Sequence, residues 1–132
     1  MKQLEERVKK CFEGQALWFL GTGSEKPDVS VIGFKELTDD GKLVLCDVMM
    51  NHALENIHKN GKASVLALNA ETMESYLVTG TAEYQTSGPI FDEWKQNAAA
   101  MTGGKMSAKG VVIVNPETVR VKSPSSENGR DL

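Results

Sequence analysis

The sequence has few of the features that mark a specialised class of protein. It has two cysteines, Cys11 and Cys46, without the close spacing of a zinc site or a disulfide framework, so we expect reduced, packed thiols. Its apolar runs, such as residues 65–68 and 111–114, are far shorter than the ~20 residues that span a bilayer. The net charge is -3, which gives no basic excess for binding nucleic acid phosphates. These absences predict neither a membrane nor a nucleic-acid partner.

The first residues also lack the apolar segment of a signal peptide. Residues 1–15 alternate charged residues with Leu4, Val8 and Phe12 at helical spacing, whereas a signal peptide needs an unbroken apolar stretch. We therefore predict a cytoplasmic protein. The length fits one domain. We place that domain at residues 1–122, followed by a polar, disordered tail at 123–132.

Short β-branched and aromatic segments separated by turn residues dominate the rest of the chain. Strands are predicted at residues 16–22, 28–34, 42–48, 63–69, 74–84, 111–115 and 117–122, and helices at 2–12, at 52–60 and from Pro89 onward. The turns between the first three strands are too short for crossovers, which predicts an antiparallel meander. Gly80 in mid-strand indicates a bulge or a close backbone neighbour. This pattern favours a mainly β fold, built as a small closed or half-open antiparallel barrel.

No motif for catalysis or metal binding is present. Residues 21–24 (GTGS) and 102–105 (TGGK) lack the spacing of phosphate loops, so the first is predicted to be a turn and the second part of a flexible loop whose lysines could close over an anion. His52 and His58 would lie about 120° apart around a helix, which predicts no metal site. Nucleophile motifs and carboxylate pairs are missing too, so no catalytic residue is identified and any chemistry would come from a cofactor.

The segment Met49-Met50-Asn51-His52 lies between a predicted strand and a predicted helix and allows two interpretations. Asn51 can cap the helix, in which case the segment only ends a strand and starts a helix. Alternatively, an anion could meet the free backbone N–H groups and the positive dipole end at His52. Periodicity does not decide between these interpretations.

Three stretches, taken in order, resemble a known family. They are residues 26–34 (KPDVSVIGF), 43–68 (LVLCDVMMNHALENIHKNGKASVLAL) and 78–94 (VTGTAEYQTSGPIFDEW). Together they resemble the FMN-binding split-barrel proteins of the pyridoxamine 5'-phosphate oxidase-like superfamily, most closely its small single-domain bacterial flavoproteins. The resemblance covers roughly residues 12–122, and its most telling part is GTAEY followed by GPxF at 80–91.

The resemblance implies a six- to seven-stranded antiparallel split β-barrel with three short helices. It also implies a homodimer that holds noncovalent FMN at the subunit interface and acts as an oxidoreductase or electron-transfer protein. The alternative is a nonenzymatic module that binds or stores flavin or another planar ligand. True pyridoxamine 5'-phosphate oxidase activity is not expected, because the chain is shorter than those enzymes and lacks their basic C-terminal segment.

Carried over position by position, the resemblance places the cofactor on two strands, the start of a helix and one loop. The residues implied to line the strand under the ribityl chain and ring are Ser30, Val31 and Ile32. Those implied to run beneath the ring and toward the phosphate are Asp47, Val48, Met49 and Met50, and those at the phosphate end are Asn51, His52 and Ala53. The loop around Met106 is implied to cover the ring from the partner subunit. Many relatives have a Lys-Thr or Arg-Lys pair where His52-Ala53 stands. We therefore expect weaker FMN binding, a substitute cation such as Lys35 or a loop lysine, or a different ligand or none.

Overall fold

Three helices and seven strands make up the residues that the computed structural model describes, which are 1–23 and 25–132. Ser24, in the predicted turn at 21–24, lies outside them. The helices are α1 Glu6–Glu13, α2 His52–Asn60 and α3 Pro89–Met101. The strands are β1 Trp18–Thr22, β2 Asp28–Ile32, β3 Lys35–Leu37, β4 Leu43–Asp47, β5 Lys62–Leu68, β6 Ser75–Gln85 and β7 Gly110–Val121. In this part of the chain no helix is long and apolar enough to cross a membrane.

All seven strands belong to one antiparallel sheet in the order β2-β1-β5-β6-β7-β4-β3. The outermost strands, β2 and β3, follow each other in the chain and are joined by Gly33 and Phe34 alone. So short a link brings the two ends of the sheet together, and the sheet curls into a half-barrel. The structure thus confirms the predicted mainly β, antiparallel split barrel with three short helices.

The pairing of the early strands differs from the predicted meander. β1 pairs with β2 and β5, whereas β4 pairs with β3 and β7. Residues 35–37 form the additional strand β3. Their sequence, Lys-Glu-Leu, has no alternating apolar pattern and lies next to turn residues, so the sequence did not predict this strand. The chain therefore crosses from one end of the sheet to the other where a simple hairpin was expected.

Gly80 marks a bulge at the centre of the sheet, as its position in the sequence predicted. The β6–β7 register shifts between Thr79 and Gly80, and Gly80 lies opposite Pro116. A Cβ atom at Gly80 would overlap the carbonyl oxygen of Asn115. The bulge accommodates Pro116, which has no N–H for the ladder, so the two strands predicted at 111–115 and 117–122 form one strand, β7.

Apolar side chains pack on both sides of the β4–β7 pair. On the concave side, Leu43, Leu45, Val112 and Val114 join the main core. In that core Phe12 of helix α1 packs against Trp18, with ring centroids 5.1 Å apart at 75° and the Trp18 indole donating to the Phe12 carbonyl at 2.8 Å. On the convex side, helix α3 packs Trp94 and Ala98 over a cluster that includes Cys46. Both cysteines are buried and free, as predicted. Because both of its faces are buried, the β4–β7 pair is a rigid support for the residues at the ends of these two strands.

The C-terminal residues fold back on the sheet, although the sequence predicted a disordered tail. The N–H of Val121 donates to the carbonyl of Arg130, and the N–H of Leu132 donates to that of Val119. Near the other terminus, the Arg7 guanidinium donates to both carboxylate oxygens of Glu127 at 3.0 and 3.3 Å. These contacts join residues far apart in sequence, and the polar composition of residues 123–132 therefore did not reveal them.

Candidate functional site

A cavity of about 240 Å³ lies where the end of β2 meets the end of β4. The N–H of Cys46 donates to the carbonyl of Phe34 at 2.8 Å and fixes this junction. Seven of the eleven residues predicted from the resemblance line the cavity: Ser30, Val31, Ile32, Val48, Met49, Met50 and Met106. Gly33, Phe34 and Cys46 complete the lining. The fold therefore brings together three segments that are separated in the sequence.

The other four predicted residues lie outside the lining. Asp47 and Ala53 are buried, whereas Asn51 and His52 are exposed. Asn51 occupies the N-cap position of α2, but its side chain makes no capping hydrogen bond. The predicted side-chain cap is therefore wrong, because the Asn51 backbone has φ -123° and ψ -82°, outside the extended conformation usual for a capping residue.

Asp47 holds the wall of the cavity that β4 provides. One carboxylate oxygen accepts the Met50 N–H at 2.7 Å, and the other accepts the Tyr84 hydroxyl at 2.6 Å. Its backbone carbonyl accepts the Lys109 N–H at 2.8 Å. With its side chain 1% exposed, Asp47 fixes the turn that carries Val48 and the two methionines and does not itself line the cavity.

The Tyr84 ring lies over a glycine of β7, and this position lets its hydroxyl reach Asp47. Gly110 pairs with Asp47 across β4 and β7, and a Cβ atom at Gly110 would overlap the Tyr84 ring. Burial, followed by the hydrogen bond to the Asp47 carboxylate, raises the pKa of Tyr84 well above its usual value, so the hydroxyl stays a donor. Sequence reasoning missed Tyr84, because only the register of three strands places it beside Asp47.

The opposite wall of the cavity depends on Thr102, at the end of α3. Its hydroxyl donates to the carbonyl of Ala98 at 2.8 Å and accepts the Met106 N–H at 3.0 Å. Gly103 and Gly104 adopt left-handed conformations, and the Gly104 N–H donates to the Ala99 carbonyl at 2.7 Å. Hydrogen bonds thus hold the loop that was predicted to be flexible. Met106, in this loop, lines the cavity of its own chain.

Sulfur atoms are prominent in the lining. Burial and the neighbouring Asp47 raise the pKa of the Cys46 thiol to about 11, so this thiol is neutral and a poor nucleophile near pH 7. The thioethers of Met49, Met50 and Met106 are soft groups that pack well against aromatic edges. The walls therefore suit a flat aromatic ring.

Lys35, predicted as a possible substitute cation, is engaged elsewhere. Its ammonium donates to the carbonyl of Gln15 at 2.7 Å and lies 4.8 Å from the centre of a Trp18 ring. Burial lowers the pKa of Lys35. This lysine is thus part of the packing around α1 and does not line the cavity.

An apolar row crosses the convex face of β2, β1, β5 and β6. Val31, Phe19, Leu66 and Leu77 are register partners from strand to strand. Val31 is 62% exposed and the other three are half-buried. Because Val31 also lines the cavity, the row is continuous with it.

Comparison with known proteins gives a family match and several similar folds. The sequence profile described as pyridoxamine 5'-phosphate oxidase matches residues 4–123. No protein with a curated description matches the chain in sequence.

Three solved structures illustrate the shared fold. HupZ of Group A Streptococcus aligns with 24% identity and a TM-score of 0.79, over 96% of this chain and 100% of its own. An FMN-binding protein from Syntrophomonas wolfei aligns with 15% identity and a TM-score of 0.74, over 91% and 86%. A heme binding protein from Mycobacterium smegmatis aligns with 18% identity and a TM-score of 0.69, over 100% of this chain and 58% of its own. At these identities the likeness concerns the fold.

Proposed function

Because the chain belongs to the pyridoxamine 5'-phosphate oxidase family, we propose that it binds a flavin noncovalently and works as an oxidoreductase or electron-transfer protein. FMN is the flavin that the family resemblance implies. The observation that supports this most is the cavity between the ends of β2 and β4, whose lining combines apolar, thiol and thioether side chains. When bound, a flavin exchanges hydride or electrons through N5 of its ring.

The roles of the chain's own residues are to bind, to orient and to exclude water. Val31, Ile32 and Phe34 supply apolar surface on one side, and Met50 and Met106 face it from two other segments. Asp47 and Thr102 do not touch the ring in this proposal. They fix the backbone N–H groups of Met50 and Met106 and so keep the two sulfur-bearing walls in place.

We further propose that the ligand lies between two copies of the chain. The cavity, about 240 Å³, is smaller than the roughly 300–1,000 Å³ typical of sites for drug-sized ligands, so a second surface would complete it. The apolar row that ends at Val31 supplies a face for such a partner. A homodimer packed on this row would cover both the row and the open side of the cavity.

We also propose a cytoplasmic location. Cys11 and Cys46 are both free, and reducing compartments maintain cysteines in this state. The physiological electron donor and acceptor would be small molecules or proteins that reach the open side of the cavity.

The second candidate function is a nonenzymatic module for a planar ligand, with haem as a specific possibility. The observation that favours it is the three methionines of the lining, since Met sulfur is a known axial ligand of haem iron. In this function the ligand would be carried or sensed and not turned over.

A visible absorbance spectrum of the purified protein, before and after adding FMN or hemin, separates the two functions. The flavin oxidoreductase predicts flavin bands that bleach under NAD(P)H without oxygen and return with an oxidant. Flavin colour that no reductant bleaches supports a carrier, and a Soret band formed only with hemin supports the haem module. If no ligand alters the spectrum, the proposed function is wrong.

A matched pair of variants ties the binding to the cavity. Met49 lines the cavity and is 68% exposed, so Met49→Ala removes ligand contacts with little risk to the fold. Met101 is similarly exposed, at 62%, but is not part of the lining. We expect Met49→Ala to weaken flavin binding several-fold and Met101→Ala to leave it unchanged; equal effects would contradict this site.

A further inference from the structure

We propose that this cavity selects an uncharged planar ligand, so that riboflavin, a flavin without phosphate, binds at least as tightly as FMN. The inference rests on the proposed function, because it concerns the same cavity. It follows from the distribution of charged groups around the lining.

The described residues that line the cavity carry no ionisable group other than a thiol. Cys46 is that group, and it lies 2% exposed between β3 and β7 in the sheet. Within the described part of the chain, Ser30 is the one lining residue with a hydroxyl. A dianionic phosphate placed against such walls would lose its hydration without gaining a charged partner.

At the β2 side, the one hydroxyl of the lining is directed to a carboxylate. Ser30 donates its hydrogen bond to Asp28 at 3.0 Å, and the two residues lie two positions apart on β2. The Ser30 proton is therefore committed to a negative group. A phosphate here would compete with Asp28 for one donor and would be repelled by its charge.

At the α2 side, two carboxylates lie near the N-terminus of the helix, and this N-terminus would otherwise attract an anion. Glu55, in the first turn, lies 3.5 Å from the His52 imidazole. Asp47 lies buried just before the helix and uses both carboxylate oxygens within the chain. The buried Asp47 opposes the positive end of the α2 dipole, whereas the exposed Glu55 contributes only weakly through water and salt, and together they make the helix start a weak site for phosphate.

The lysines of the described residues do not reverse this balance. Lys35 is occupied by the Gln15 carbonyl and the Trp18 ring. Lys105 and Lys109 flank Met106 but are exposed, and exposed charges contribute little through water and salt. The chain as a whole carries a charge of -3, which adds to the repulsion of a dianion.

The test measures dissociation constants of riboflavin and FMN for the full chain, by quenching of flavin fluorescence at low and at physiological salt. We expect riboflavin to bind at least as tightly as FMN at both salt concentrations, and any disadvantage of FMN to become smaller at physiological salt, because salt screens the repulsion of its phosphate. FMN binding that is about tenfold tighter or more, and that weakens as salt rises, would overturn the inference.

Two lysine variants test whether a cation near the cavity binds the flavin phosphate. Lys109→Gln removes the cation beside the Met106 loop, and Lys122→Gln removes an exposed cation just beyond β7 as a control. We expect neither variant to alter the ratio of the two dissociation constants. A loss of FMN affinity confined to Lys109→Gln would contradict the inference and leave the proposed flavin function intact, whereas failure of the wild type to bind either flavin would contradict both.

Discussion

The Tyr84 hydroxyl donates a hydrogen bond of 2.6 Å to the Asp47 carboxylate, passing over Gly110 to reach it. The contact joins β6 to β4 across the intervening strand β7. Because Asp47 also fixes the Met50 N–H, this pair connects the centre of the sheet to the wall of the cavity. A buried carboxylate with two short donors is costly to leave half-paired.

Replacing Tyr84 by Phe removes one donor from a carboxylate that is 1% exposed. We expect Tyr84→Phe to lower the free energy of unfolding by about 1–3 kcal/mol, the usual cost of a buried polar group left without its partner. Urea denaturation measures the change. Tyr76→Phe is the matched control, because the Tyr76 hydroxyl donates to the less buried Glu74 at 2.7 Å. An equal loss in both variants would show that Asp47 has no special dependence on Tyr84.

Gly80 should tolerate no side chain. A Cβ atom there would overlap the Asn115 carbonyl, and both residues lie in the β6–β7 ladder, which cannot shift freely. We expect Gly80→Ala to destabilise the protein by about 3 kcal/mol or more, at the severe end for a single substitution. Gly23→Ala serves as control, since no atom of the described residues, other than its chain neighbours, lies within 4 Å of a Cβ at Gly23. Thermal denaturation that finds the two variants equal would contradict the bulge.

The two tryptophans should respond differently to replacement by Phe. Trp18 donates from its indole to the Phe12 carbonyl at 2.8 Å, whereas the buried Trp94 indole N–H has no hydrogen-bond partner among the described residues. Both substitutions remove similar ring volume. We therefore expect Trp18→Phe to cost about 1 kcal/mol more than Trp94→Phe in urea denaturation. A larger loss for Trp94→Phe would indicate that its N–H is satisfied by a group not yet identified.

The two buried thiols should make stability fall at alkaline pH. Burial is the main cause that raises the pKa of Cys11 and of Cys46 from 9.0 to about 11. Because the folded state holds these protons more tightly than the unfolded state, the contribution is complete below pH 9 and is lost as pH rises through about 11. Urea midpoints measured between pH 8 and 11 should therefore decline.

The cysteine variants provide the control for this decline. Cys11→Ala and Cys46→Ala each lower stability at all pH values by removing packed sulfur, so the slopes and not the absolute values are compared. We expect each variant to flatten the alkaline slope. If the double variant keeps the full slope, groups other than these thiols cause it, with Tyr76, whose pKa is raised to about 12, as the first to examine.

His52→Lys should create a preference for phosphate where the natural chain lacks one. The substitution places a permanent charge in the first turn of α2, and Lys59→His, in the last turn, makes the reverse exchange as a control. If the flavin phosphate points toward this helix, FMN should gain about tenfold in affinity over riboflavin in His52→Lys only. An unchanged ratio would place the phosphate end elsewhere.

Features that depend on local sequence were predictable. Helix α2 runs from His52 to Asn60 as predicted, because Gly61 takes the left-handed conformation and its N–H donates to the Ile57 carbonyl. Pro89 at the start of α3 and the bulge at Gly80 were visible for similar reasons. Each of these signals comes from one residue type with a restricted or unusually free backbone.

Features that depend on strand register were not predictable from the residues alone. The early strands cross the sheet because Gly33 and Phe34 connect its two ends, which short turns do not reveal. The resemblance implies that Asp47 lies beneath the cofactor, and the register adds that its carboxylate accepts hydrogen bonds from Met50 and Tyr84 behind the residues that line the cavity. The family resemblance supplied the strands that line the cavity, and the geometry separated lining residues from supporting ones.

Sedimentation velocity with FMN and, separately, with riboflavin, followed at the protein and flavin absorbance bands, tests most directly whether a flavin binds between two copies of the chain. We expect the flavin to sediment with a dimer and to leave it when dilution produces monomers. Flavin that remains on a monomer would contradict binding between subunits, and flavin that never sediments with the protein would contradict the flavin site itself.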